Sequence, residues 1–115
     1  MRPSMGGLAK ILLAGAGLLM TGMAFQASPP PDGGAIYKQR CLMCHKADGK
    51  GFPALKTPDF TDPKWQASVK DTELIGVVRN GKKGTAMPAF SDKLKDDEIQ
   101  AVVAFVRSFV SSKKK

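Results

Sequence analysis

The residues of this chain that can do chemistry are concentrated in one place. Both cysteines and the only histidine fall within five consecutive positions, Cys41-Leu42-Met43-Cys44-His45. Two thiols separated by two residues at a helix end point the same way, and an imidazole beside the second reaches a metal held just above them. The C-x-x-C-H spacing is the signature of covalent haem attachment. Each thiol adds across a vinyl group to form a thioether, and the histidine becomes the proximal ligand of the iron. Three other chemistries compete for the same residues. A dithiol redox pair usually sits beside a βαβ pattern, which this sequence lacks. Structural zinc takes four protein ligands, and two cysteines and one histidine in a single cluster fall short. A local disulfide suits an exported protein but gives His45 no role.

A six-coordinate iron needs a second protein donor, and there is no second histidine. Methionine sulfur is the remaining soft donor. Of the six methionines, Met1, Met5, Met20 and Met23 lie in the N-terminal stretch and Met43 sits between the two attachment positions, which leaves Met87. Its setting, GTAMPAF, agrees: Pro88 drives the preceding residue into extended geometry and holds Met87 outside any helix on a stiff loop. The competing role is that of a gap-filling core methionine.

The elements that must position these residues follow a distinct leader. Arg2 and Lys10 flank a short basic region, and an uncharged run from Ile11 to Phe25 precedes the turn-rich SPPPDGG. Residues 1–24 read as a secretory signal peptide, cleaved after Ala24 or, alternatively, Ala27. A spanning helix needs about 20 apolar residues; this run is shorter and diluted by three glycines, so a retained anchor is the weaker reading. With no cysteine near the leader's end, a lipid attached there is excluded. Residues 25–32 read as a linker, 33–110 as one domain and 111–115 as a solvated basic tail. The chain carries 18 basic and 10 acidic side chains, a formal net charge of +8. Losing Arg2 and Lys10 with the leader leaves 16 against 10, a net of +6. That excess suits an acidic protein partner or a membrane surface. It does not suit nucleic acid, because the basic residues are not interleaved with aromatics as a base-stacking surface requires.

Within the domain, Asp32 is placed to cap a first helix running from Gly33 to about Cys44, with Ile36, Tyr37 and Leu42 at helical spacing. Residues 46–62, rich in Gly, Pro, Asp and Lys, read as a loop that wraps something. Asp62-Pro63 is a helix-entry pair for a short turn over 63–67. DTELIGVVRNG, from Asp71, predicts a further helix stopped at Asn80-Gly81. DDEIQAVVAFVRSFV places Ile99, Val102, Val103, Val106 and Val110 on one face and predicts the terminal helix. No stretch alternates long enough to demand a strand. The expected fold is all-α, three to four short helices with long loops, whose apolar faces are too small to stabilise one another without a large apolar ligand.

From Gly33 to about Phe109 the chain resembles the small single-haem bacterial cytochromes c of class I, on the strength of CLMCH, the MPAF segment and the closing aliphatic helix. The resemblance implies a cytochrome c fold around one covalent haem c, held through Cys41 and Cys44 with His45 and Met87 as axial ligands. It implies that Gly33 and Tyr37 of the first helix cross Val102 and Phe105 of the last. It also implies that the Pro53 carbonyl accepts from the other nitrogen of His45, fixing the tautomer. Trp65 either donates to a haem propionate or, the favoured reading, packs against the porphyrin edge. Lys95 stands where the family commonly has a serine or threonine cap, so Asp96 is expected to cap the terminal helix. With both axial positions filled, the implied function is that of a soluble periplasmic one-electron carrier, a monomer and not an enzyme. Lys46, Lys50, Lys82 and Lys83 would ring the haem edge and steer an acidic redox partner; their competing role is that of ordinary solvated lysines. The alternatives are a membrane-tethered subunit of a respiratory complex, or a haem peroxidase or gas sensor if Met87 does not bind the iron.

Overall fold

The computed structural model describes residues 28–113. The stretch read as a signal peptide, 1–24, lies outside them, as do the last two residues of the stretch read as a basic tail. Among the described residues five α-helices follow in order: α1 Gly33–Arg40, α2 Leu42–His45, α3 Pro63–Ser68, α4 Asp71–Asn80 and α5 Asp96–Lys113, with a 3₁₀ turn at Pro53–Leu55. Among the described residues there is no strand. The expected first helix is therefore two. Cys41 separates them with φ widened to −115° at a still helical ψ of −30°, and its N–H still reaches the Tyr37 carbonyl at 2.9 Å. The terminal helix runs to Lys113, three residues into the stretch read as tail.

Each helix start has a local cause. Asp32 caps α1 by accepting from the Ala35 N–H at 3.1 Å. Asp62 caps α3 by accepting from Lys64 N–H at 2.9 Å, with Pro63 in the first turn. The capping expected of Asp96 is not what forms. Lys95 occupies the cap position, its N–H donating to the Glu98 carboxylate at 2.8 Å, and Asp96 is the first helical residue. The start of α4 repeats this device, with Lys70 N–H donating to Glu73 at 2.7 Å. A lysine side chain has no acceptor, so in Lys-Asp-x-Glu the glutamate supplies half of a capping box. Asp71 and Asp96 then serve the helix dipole.

The core is built where α1 crosses α5. Ile36 and Tyr37 from α1 meet Ile99 and Val102 from α5, with Phe60, Phe90 and Leu94 supplied by loops. Ile99, Val102 and Val103 are all but inaccessible, as the period of the terminal helix predicts. The crossing is close because position 33 has no side chain: a Cβ there would lie 2.1 Å from the Ala101 carbonyl oxygen and 3.2 Å from Phe105 Cβ. Tyr37 packs one turn along, its ring 5.1 Å from that of Phe105. Gly33 and Tyr37 thus cross α5 at Ala101 and Phe105, with Val102 in the same core cluster.

Candidate haem site

The break at Cys41 opens a fresh turn of helix, and that turn carries the motif. The N–H groups of Cys44 and His45 both reach the Cys41 carbonyl, at 3.1 and 2.9 Å. Leu42 packs inward on the core, and Met43, 81% exposed, points away from it. Both thiols are free, Cys41 half-buried and Cys44 exposed. Burial, with a smaller contribution from the neighbouring Cys44 and against the pull of Arg40, pushes the Cys41 thiol up to about 11. His45 is shielded too, and loss of solvation lowers its pKa from the ordinary 6.5, favouring the neutral imidazole that ligates metals.

The surroundings of His45 hold it from several sides. Its carbonyl accepts from Gly51 N–H at 3.1 Å. The next residue, Lys46, has φ 69° and ψ 157°, a region that glycine alone visits freely. Its carbonyl is clamped by the buried Tyr37 hydroxyl, which donates at 2.6 Å. The ring of His45 stacks on Phe60, centroids 4.7 Å apart and planes 18° from parallel. The Nδ1 atom is buried without a hydrogen-bond partner. The bond expected from it to Pro53 is not formed. Pro53 opens the 3₁₀ turn, and its carbonyl accepts from Lys56 N–H at 3.0 Å.

Met87 sits on a short closed loop. Gly81 ends α4 with φ 78°, and a Cβ there would meet the Met87 carbonyl at 2.9 Å. Glycine is what lets the chain fold back. Lys82 N–H donates to that carbonyl at 3.2 Å, Phe90 N–H to Val78 at 2.9 Å and Ser91 N–H to Arg79 at 3.2 Å. Inside the loop the Thr85 hydroxyl donates to the Lys82 carbonyl at 2.8 Å and accepts from Met87 N–H at 3.2 Å. Stiffness comes from these bonds as well as from Pro88. Residues 54–56 and 84–86 face one another across a cleft of about 220 Å³, so the turn at Pro53 and the Met87 loop are neighbours.

Cys41, Trp65, Met87 and Phe105 all pack, partly buried, on the one core cluster. Trp65 lies with its ring 5.3 Å from Phe60. Lys50, Lys82 and Lys83 are exposed; Lys46 instead lays its ammonium 5.3 Å from the Phe52 ring centre. No group of three or more Cys, His, Asp or Glu among the described residues is placed to hold a metal ion. A haem fits the donor set: two unbridged thiols within one helical turn, and beside them a partly buried imidazole whose pKa is lowered towards the neutral, metal-ligating form. Helix α4 adds to the fit, since it is amphipathic yet has no fully buried residue.

Other residues that shape the site carry no sequence signal. Gln66 is buried and donates to the carbonyls of Phe60 at 2.8 Å and Val106 at 3.0 Å. Arg107 donates to the Gln66 carbonyl at 2.7 Å, its side-chain oxygen at 2.9 Å and the Val69 carbonyl at 2.7 Å, and pairs with Asp71 at 2.8 Å. Apart from the Gln66–Phe60 bond, these contacts join positions 36 to 41 residues apart, beyond the reach of any spacing rule.

Comparison with known proteins places this geometry in a family. Residues 28–106 match the family described as cytochrome C oxidase, cbb3-type, subunit III. Cytochrome c6 of Leptolyngbya boryana is 38% identical over 79 residues, 64% of this chain and 85% of that protein. The cbb3-type cytochrome c oxidase subunit FixP of Bradyrhizobium sp. (strain ORS 278) is 32% identical over 81 residues, 70% of this chain. The chain spans only 28% of that FixP subunit's length. A solved structure, the KustC0563 c-type cytochrome, superposes with a TM-score of 0.64 at 34% identity over 68% of this chain and 96% of its own. No helix among the described residues is long and apolar enough to cross a membrane. The chain belongs to the c-type cytochrome family, an all-α fold that carries covalently bound haem c.

Proposed function

We propose that this protein is an exported one-electron carrier whose haem is bonded through Cys41 and Cys44 and ligated by His45 and Met87. The observation that carries the reading is the turn at 41–45, where two free thiols are followed directly by a partly buried imidazole whose pKa is lowered by loss of solvation. The haem supplies reversible exchange of one electron between ferric and ferrous iron. The chain's own residues do the rest. Burial keeps the His45 lone pair available, and the bonded loop from Lys82 to Met87 holds a thioether sulfur without needing a rigid side chain. With His45 and Met87 as its protein ligands the haem would be biased towards the reduced state and would offer substrate no position, which is why the proposed role is electron transfer and not that of a peroxidase or gas sensor. Lys50, Lys82 and Lys83, with Lys46 beside the motif, give the rim a positive field that steers an acidic partner and weakens with salt.

Pyridine haemochrome analysis of protein from a host competent in cytochrome maturation tests attachment, and a colourless product refutes it. Met87→Ala tests ligation: the weak long-wavelength band of thioether-ligated ferric haem disappears and carbon monoxide binds the reduced protein. An unchanged spectrum refutes that half. Similarity to FixP favours a second reading, a domain tethered within an oxidase. Fractionation separates the two, since a carrier cleaved after Ala24 or Ala27 leaves with the periplasmic fraction and a tethered one stays with membranes.

A further inference from the structure

We infer that Phe60 is a positioning residue that sets the plane of the His45 imidazole, and that Gln66 and Arg107 hold it there; the inference rests on His45 being an iron ligand. An imidazole bound through one nitrogen is free to rotate about its bond to the metal unless something fixes the ring, and a hydrogen bond from the other nitrogen is the usual restraint. Here Nδ1 has no such partner. What faces the ring is the Phe60 side chain, nearly parallel at 4.7 Å. Rotation of the imidazole would drive its edge into that phenyl face, so the stack restrains the rotation that the missing hydrogen bond leaves free.

The phenyl ring is itself boxed in. It is buried, with Tyr37, Trp65 and Phe109 rings around it at 6.5, 5.3 and 5.9 Å. Its backbone is fixed on both sides, the N–H donating to Gly49 at 2.8 Å and the carbonyl accepting from Gln66 Nε2 at 2.8 Å. Gln66 is tied to α5 twice over: it donates to Val106 and accepts from Arg107. A continuous series of contacts therefore runs from the terminal helix to the histidine ring plane, and each member is buried or partly so.

The test uses the haem-loaded full chain. Proton NMR of the oxidised protein reports ligand-plane orientation through the spread and order of the four haem methyl resonances, and low-spin EPR g-values report it independently. In Phe60→Leu the stack is lost while an apolar filler remains; the methyl spread and g-values shift from wild type. Phe60→Tyr keeps the aromatic face, retains the wild-type pattern and serves if the leucine variant fails to load haem. Phe109→Leu is the control, since Phe109 packs on Phe60, Tyr37 and Phe105 and has no ring contact with His45. It lowers the melting temperature and leaves the methyl pattern in place. The inference is overturned if Phe60→Leu keeps the wild-type pattern, if Phe60→Tyr changes it as leucine does, or if Phe109→Leu changes it as much. A wild-type spectrum without low-spin histidine ligation overturns the ligand reading and this inference together, whereas a low-spin wild type with an insensitive Phe60 overturns this one alone.

Discussion

Replacing Gly33 with alanine puts the whole helix crossing to the test. An added Cβ would lie 2.1 Å from the Ala101 carbonyl oxygen, 2.7 Å from its carbon and 3.2 Å from Phe105 Cβ. Ordinary contact begins at 3.4 Å, so α1 and α5 must part by about 1.3 Å, and the obstacle is backbone that no rotamer change can move aside. Parting them loosens Tyr37, Ile99 and Val102, the most deeply buried side chains. Overpacking typically costs about 1–3 kcal/mol, and a backbone clash at the centre of the core belongs at the upper end. Taking about 3 kcal/mol at 4–8 °C per kcal/mol for a domain of this size, the melting temperature falls by roughly 12–24 °C. Gly34→Ala is the matched control, since its Cβ would first meet the tip of the Phe105 ring at 3.1 Å, which can swing aside. Thermal unfolding of the two holoproteins, followed by far-ultraviolet circular dichroism, compares them. Equal melting temperatures for the two variants would refute the account of the crossing.

Arg107→Met removes donors to the Gln66 and Val69 carbonyls and to the Gln66 side chain, and chemical denaturation should show a loss of about 2–3 kcal/mol. Asp71→Asn removes only the exposed partner, 67% accessible, and costs under about 1 kcal/mol by the same measurement; equal losses would place the stabilisation in the ion pair instead. Lys46→Gly relieves a φ of 69° at ψ 157° and raises stability by about 1 kcal/mol, an outcome read from the denaturation midpoint. Lys56→Gly yields less, because φ 59° and ψ 30° lie in the ordinary left-handed well.

What was legible in the sequence was what repeats or what sits close together. The terminal helix announced itself through Ile99, Val102 and Val103 at helical period, and the motif through five adjacent residues. The cap at Asp32 and the stop at Gly81 follow from single-residue chemistry and also hold. Misread features depend on backbone geometry that composition does not specify. Cys41 is as compatible with helix as its neighbours, yet it breaks the first helix. Lys95 lacks any acceptor, yet it takes the cap position, because Glu98 does the bonding from three residues on. The carbonyl of Pro53 turns to Lys56, a choice made by a 3₁₀ turn that the Gly- and Pro-rich composition did not reveal. Gln66 and Arg107 were invisible for a different reason: their roles exist only once α3 and α5 are side by side.

Both routes by which the frame reaches His45 begin at the same place. Tyr37, packed in the crossing, clamps the Lys46 carbonyl directly after the histidine, and Phe60, tied through Gln66 to Val106 of α5, faces its ring. One route fixes the backbone after His45 and the other its side chain. Each crosses from the packed half of the domain to the turn that bears the thiols. The strained Lys46 peptide is tolerated because a buried hydroxyl holds it, and the unbonded Nδ1 because an aromatic face confines the ring. Core packing and placement of the histidine are therefore one problem in this chain, and a substitution that separates α1 from α5 acts on the site without touching it.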